Sequence, residues 1–128
     1  ILTLLEATKE IPISVFNEKL SSLETIVKYL KEKEMTYHEI GIALQRSERN
    51  IWATYRNAIK KHPEQFVVQT SSMYIPLNIF SSKFSPLETL VFYLKENLHL
   101  TYHEIALLLK RDDRTIWTVY NRALKKNG

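Results

Sequence analysis

Thr36-Tyr37-His38-Glu39-Ile40 and Thr101-Tyr102-His103-Glu104-Ile105 are the same five residues met twice in one chain. Outward from this stretch the match continues in both directions. Upstream, Tyr29-Leu30-Lys31-Glu32 recurs as Tyr93-Leu94-Lys95-Glu96, and Ser21-Ser22-Leu23-Glu24-Thr25 recurs as Ser85-Pro86-Leu87-Glu88-Thr89. Further upstream, Ile11-Pro12-Ile13-Ser14-Val15-Phe16 recurs as Ile75-Pro76-Leu77-Asn78-Ile79-Phe80. Downstream, Arg49, Ile51, Trp52, Tyr55, Ala58, Lys60 and Lys61 match Arg114, Ile116, Trp117, Tyr120, Ala123, Lys125 and Lys126. With one inserted residue, about half of the aligned positions are identical, so the chain is an internal duplication.

Each copy reads as three helices. The first opens on a capping box, Ser21 with Glu24 and Ser85 with Glu88, and Pro86 takes the first helical position, where a missing N–H costs nothing. Leu23, Ile26, Val27 and Leu30 follow helical spacing, as do Leu87, Leu90, Val91 and Leu94. A second box, Thr36 to Glu39 and Thr101 to Glu104, opens a short helix that ends near Leu44 and Leu109. After a turn at Gln45-Arg46 or Lys110-Arg111, Ser47 or Asp112 caps the third helix. Its inward face is expected to be Ile51, Tyr55, Ala58 and Ile59, or Ile116, Tyr120, Ala123 and Leu124. It closes on Lys60-Lys61 or Lys125-Lys126, cations suited to a helix C-terminus. The proline-bearing, β-branched segments before each first helix predict extended arms packed against their own helices. Phe66-Val67-Val68 predicts a short strand, and Leu2–Ala7 the end of an earlier helix. The expected fold is therefore mainly α: two tandem three-helix units with short extended arms. Residues 1–10 end a preceding segment, 11–62 and 75–128 are the repeats, and 63–74 link them.

Composition bounds the function. The 128 residues contain no cysteine, which removes disulfides, thiolate metal sites and cysteine nucleophiles. That absence points to an intracellular, cytoplasmic protein, and a start at Ile1 points to a piece of a longer chain. No apolar run approaches the roughly 20 residues of a membrane span. Two glycines leave no room for a glycine-rich phosphate loop. The net charge of +4 is moderate, but its placement is uneven. Residues 45–62 carry five bases and one acid, and residues 110–128 carry six bases and two acids, while the rest of each copy is slightly acidic. The positive charge thus gathers on the turn and third helix of both copies, the footprint of an element that approaches a polyanion.

A short helix, a tight turn and a longer helix with Ile, Tyr and Ala facing inward form a helix-turn-helix pattern. Over Ser21–Lys61 and Ser85–Lys126 the sequence resembles region four of bacterial sigma factors and the related LuxR-type DNA-binding domains. The resemblance implies sequence-specific binding of double-stranded DNA by a transcription regulator, with no cofactor and no small-molecule substrate. It implies RNA polymerase or another protein as a further partner. It also implies that the start and outer face of the third helix enter the major groove: Glu48, Arg49, Trp52, Ala53 and Arg56, then Asp113, Arg114, Trp117, Thr118 and Asn121. Thr36, Tyr37, Thr101 and Tyr102 would lie at the phosphate backbone. Arg46, Lys60, Arg111 and Lys125 complete the expected DNA-binding set. Two such units can read major-groove segments about 34 Å apart. The family's usual turn glycine is replaced by Gln45 and Lys110, at a left-handed cost on the order of 1 kcal/mol each.

Other residues pull in a different direction. Trp52 and Trp117 lie off the Ile/Tyr/Ala face, and packing against an arm or the other copy is the first reading for them, because exposed tryptophan is uncommon. A groove contact and a protein anchor are the alternatives. Glu48, Asp112 and Asp113 sit where phosphates would approach. The acids and the paired tryptophans together keep open a second class of function, a protein-interaction or assembly module that no longer binds DNA. His38 and His103 lack His-Glu-x-x-His spacing, so no zinc site is expected. Glu39 and Glu104 are explained by capping, and no nucleophile–base set can be assembled, so no enzyme is expected.

Overall fold

The structure is a computed structural model that describes residues 10–70 and 73–127. The expected helix end at Leu2–Ala7 lies outside these residues. The protein is mainly helical. Strand β1 (Glu10–Pro12) runs through a 3-10 turn (Ile13–Val15) to α1 (Ser22–Glu32), α2 (Tyr37–Leu44) and α3 (Glu48–Lys61). Strand β2 (Tyr74–Pro76) and a second 3-10 turn (Leu77–Ile79) then lead to α4 (Pro86–Glu96), α5 (Tyr102–Leu109) and α6 (Asp113–Asn127).

The helix boundaries are set by local chemistry. All four capping boxes form: the Ser21, Thr36, Ser85 and Thr101 hydroxyls accept the N–H three residues on, and the glutamate there accepts the cap residue's own N–H. Each cap of this kind is worth about 1 kcal/mol. Ser47 accepts from the Asn50 N–H at 3.1 Å, and Asp112 accepts from Thr115 at 2.7 Å. The Thr115 N–H holds the Asp112 carboxyl below its ordinary range. Gln45 and Lys110 both adopt φ 56°, so the left-handed turn forms without glycine. The next N–H closes each turn, Arg46 to the Gly41 carbonyl at 2.9 Å and Arg111 to the Ala106 carbonyl at 3.0 Å.

Packing within each half follows the apolar periodicity. Ile26, Val27, Leu30, Ile40, Leu44, Ile51 and Ala58 are buried in the first half; Leu90, Val91, Leu94, Ile105, Leu109, Ile116 and Ala123 are buried in the second. One position departs from expectation. Leu124 is exposed and Val119 is buried, so the inward stripe of α6 runs through Ile116, Val119 and Ala123.

The arms stay with their own helices only in part: β1 keeps contact with α1. β1 pairs with β2 in an antiparallel ladder, with Ile11 opposite Ile75, Glu10 opposite Pro76 and Pro12 opposite Tyr74. Beyond the ladder the arms cross. The 3-10 turn of the first half packs on α5, that of the second half packs on α2, and α1 meets α4. Because Ile11 and Ile75 are equivalent residues, this register places a pseudo-twofold axis between them. Each half lends its arm to the other, and the buried residues form one continuous core. The crossing adds to the packing of β1 on its own α1, because Ile11 and Ile75, each fully buried, shield one another at the axis.

Phe66-Val67-Val68 does not form the expected strand. The Phe66 N–H is held by the Glu32 carboxylate at 3.2 and 3.3 Å, so a side chain takes the donor that a ladder would need.

Candidate nucleic-acid interface

α3 and α6 are anchored by one face and free on the other. Ile51 and Ala58 fix α3, and Ile116 and Ala123 fix α6. On the opposite face Arg49, Trp52, Ala53, Arg56 and Lys60 are exposed, as are Arg114, Trp117, Thr118 and Lys125. Trp52 is 47% exposed and Trp117 54%, which corrects the expectation that they pack against an arm or the other half. The core is closed at the equivalent level by Ile51 and Ile116, one helical position away, leaving the indoles no inward path. The Arg56 guanidinium lies over the Trp52 ring, 5.2 Å from its centre. Asn121, at the equivalent of Arg56, is half-buried and donates its side-chain N–H to the Trp117 carbonyl at 2.8 Å.

The ion pairs divide the basic residues into two groups. Lys61 bonds to buried Glu24 at 3.0 Å, and Lys126 to buried Glu88 at 2.7 Å with Arg122 3.9 Å away. Burial pushes the Glu88 carboxyl up, but the hydrogen bonds from Lys126 and Ser85 and the charges of Lys126 and Arg122 outweigh it and hold it below its ordinary range. These cations fasten the C-terminal ends of α3 and α6 to α1 and α4. Arg49, Arg56, Lys60, Arg114 and Lys125 form no ion pair among the described residues. The acids at the start of the same helices do have partners: His38 Nδ1 lies 3.4 Å from Glu48, and His103 Nδ1 3.2 Å from Asp113.

The remaining predicted residues have structural work. The Thr36 and Thr101 hydroxyls are committed to capping. Tyr37 packs on Tyr55 with ring centres 6.0 Å apart and carries the Lys31 ammonium at 4.2 Å; Tyr102 packs on Tyr120 at 5.8 Å and carries Lys95 at 4.5 Å. Arg46 and Arg111 are half-buried and reach across the pseudo-twofold. Arg111 donates to the carbonyls of Asn17 at 2.9 Å and Leu20 at 3.1 Å, and Arg46 donates to Phe84 at 3.4 Å. Lys110 adds a bond to the Phe16 carbonyl at 2.9 Å, and Gln45 accepts the Ser82 N–H at 3.1 Å. The turn residues therefore hold the two halves together rather than joining the free face of α3 and α6.

Two exposed residues were not foreseen. Ile42 is 66% exposed on α2, and its equivalent Leu107 is 65% exposed on α5. Each stands two residues after a fully buried isoleucine, Ile40 or Ile105, and an i, i+2 pair on a helix cannot share one face. That spacing was the available signal.

No protein-family model matches this chain, and no curated protein or solved structure matches it. No helix among the described residues is long and apolar enough to cross a membrane.

Proposed function

We propose that each half is a helix-turn-helix unit and that the chain binds double-stranded DNA sequence-specifically, as a transcription regulator, through α3 and α6. The observation that carries this reading is the sorting of the basic side chains. Lys61, Arg122 and Lys126 are paired with buried carboxylates, while Arg49, Arg56, Lys60 and Lys125, on the exposed face of the same helices, form no ion pair among the described residues, and Arg114 acts only through its charge on neighbouring Asp112. Phosphate contacts need cations of this kind, and base contacts need extended donors beside them. The left-handed turns at Gln45 and Lys110 support the reading, because they set the short helix against the long one as a groove-entering helix requires. The pseudo-twofold turns α3 and α6 into related readers, which suits an inverted repeat in the DNA.

The test is duplex affinity across a salt series. Affinity falls steeply with salt, because each neutralised phosphate releases a counterion. Changing Arg49→Ala and Arg114→Ala together weakens binding roughly tenfold or more. Binding that ignores salt, or no binding at low salt, rejects the reading.

A second reading has its own observation. Ile42 and Leu107, with Trp52 and Trp117, expose large apolar side chains at equivalent places in both halves. Tryptophan and aliphatic anchors of this type serve protein interfaces. A protein partner, RNA polymerase among the candidates, would then dock on one or both halves. Loss of co-purification in Ile42→Ser/Leu107→Ser, with duplex affinity unchanged, separates this reading from the first.

A further inference from the structure

The two halves are related by a pseudo-twofold, yet the faces they present are not the same. Equivalent positions agree at Arg49 and Arg114, Trp52 and Trp117, Lys60 and Lys125, and both helices open on an acid, Glu48 or Asp113. They differ where Asn50 stands against Thr115, Ala53 against Thr118, Arg56 against Asn121, and Asn57 against Arg122. The last difference adds a cation to the second half whose side chain is still 57% exposed, but one residue on from the Arg56 equivalent, about 100° round the helix. Arg122 is turned toward buried Glu88, with Nε 3.9 Å from its carboxylate. The half that lacks the Arg56 guanidinium therefore has no substitute for it at that position.

Resting on the DNA-binding reading, we propose that the cognate site is an inverted repeat with unlike halves, and that Arg56 and Asn121 fix the orientation in which the chain lies on it. Arg56 is laid across the Trp52 ring, which limits its rotamers and presents a planar fork of donors from the exposed side of α3. That fork matches the O6 and N7 acceptors of guanine. Asn121 is short, and one of its two amide N–H groups is given to the Trp117 carbonyl, which leaves the other N–H and the carbonyl oxygen. That donor–acceptor pair matches the N7 acceptor and N6 amino group of adenine rather than the two acceptors of guanine. One half-site carries guanine at this position and the other does not. A dimer of identical subunits reads both halves of an inverted repeat alike. This chain carries both readers on one polypeptide and gives the site a direction.

The experiment is selection of bound duplexes from a randomised pool by the full chain, followed by affinity measurement on the selected site. The wild-type chain selects an inverted repeat with guanine at the Arg56 position in one half only. Giving the first half the second's side chains at two positions, Ala53→Thr with Arg56→Asn, makes the selected site symmetric at the Arg56 position and weakens binding to the original site roughly tenfold or more. Arg56→Lys keeps the charge and the salt dependence but loses the guanine preference, because an ammonium lacks the fork. All these side chains are exposed, and the helical circular dichroism of each variant confirms that it folds. A symmetric site selected by the wild type, or an unchanged site selected by the double variant, overturns the proposal. Salt-dependent binding with no base preference overturns it as well and leaves duplex binding standing. Absence of binding at low salt overturns the DNA reading itself.

Discussion

Beside α1 the first half buries a lysine; at the same place beside α4 the second half carries a phenylalanine. Lys28 is 2% exposed and donates to Glu32 at 2.5 Å and to the Glu64 carbonyl at 2.6 Å, with the Phe66 ring 4.1 Å from its ammonium. The segment after α3 is thereby drawn onto α1. Phe92 has no such reach. Its ring lies 6.1 Å from Tyr120, and Glu96, released from the role of Glu32, accepts the Tyr120 hydroxyl instead. An apolar groove of about 190 Å³ is lined by Ile79, Phe84, Thr89, Phe92, Tyr93, Asn97 and Asn127. The equivalent carboxylates Glu32 and Glu96 thus serve different partners, a lysine in one half and a tyrosine in the other. Duplicated frameworks tolerate this because the capping and the apolar stripes, which fix the helices, are untouched.

The comparison breaks most visibly at Lys28. Lys28→Ala leaves the Glu64 carbonyl without its donor and a cavity under Phe66, and it lowers unfolding free energy by about 3 kcal/mol in denaturant titration. A loss below about 1 kcal/mol would mean that the lysine does not organise the segment after α3. A smaller effect is expected at Gly41. A Cβ there would lie 2.8 Å from the Arg46 carbonyl oxygen, whereas the second half holds Ala106 at the equivalent place. Helix propensity favours Gly41→Ala by up to about 1 kcal/mol, and the backbone clash opposes it by about 1–3 kcal/mol. A net loss of about 1 kcal/mol follows, while Ala106→Gly also loses about 0.5–1 kcal/mol. Stabilisation by Gly41→Ala would show that the two turns are interchangeable after all.

The smallest effect concerns Tyr120. The hydrogen bond to Glu96, then burial and the negative charge of Glu96, push its hydroxyl up to about 12. A hydroxyl raised in the folded state contributes stability in full below its ordinary value near 10, and the contribution fades as pH rises toward 12. Tyr120→Phe therefore costs about 0.5–1 kcal/mol at neutral pH. It also removes one tyrosine from the late part of the ultraviolet titration, leaving Tyr29, which burial pushes up. A late part unchanged by Tyr120→Phe would remove the contrast between Glu32 and Glu96.

Much of this architecture was legible in the residues. Ser21, Thr36, Ser85 and Thr101 each announce a helix through a partner three positions on, a contact too local for tertiary structure to override. The left-handed turns at Gln45 and Lys110 were expected through the helix-turn-helix resemblance alone, since neither residue favours that conformation. The exchange of arms was not, because Ile11–Phe16 and Ile75–Phe80 are alike, and an apolar arm fits its own half or the other equally well on pattern alone. Only the register Ile11 to Ile75 decides. The exposure of Trp52 and Trp117 was hidden by their bulk, which favours burial, and the cross-half roles of Arg46 and Arg111 by the exchange itself. Within the candidate interface, Arg49, Arg56, Arg114 and the terminal lysines stand where helical spacing put them.

The exchanged arms also bear on how fast the chain can fold. Six short helices with strong caps normally mean local contacts and rapid folding. Here Arg111 must find the Asn17 carbonyl across 94 positions of sequence, and Lys110 must find Phe16 across as many. Such loops have to close before the arms gain anything from burial. Helix formation should therefore run well ahead of the final docking, and the slow step in refolding should follow the β1–β2 register rather than any helix.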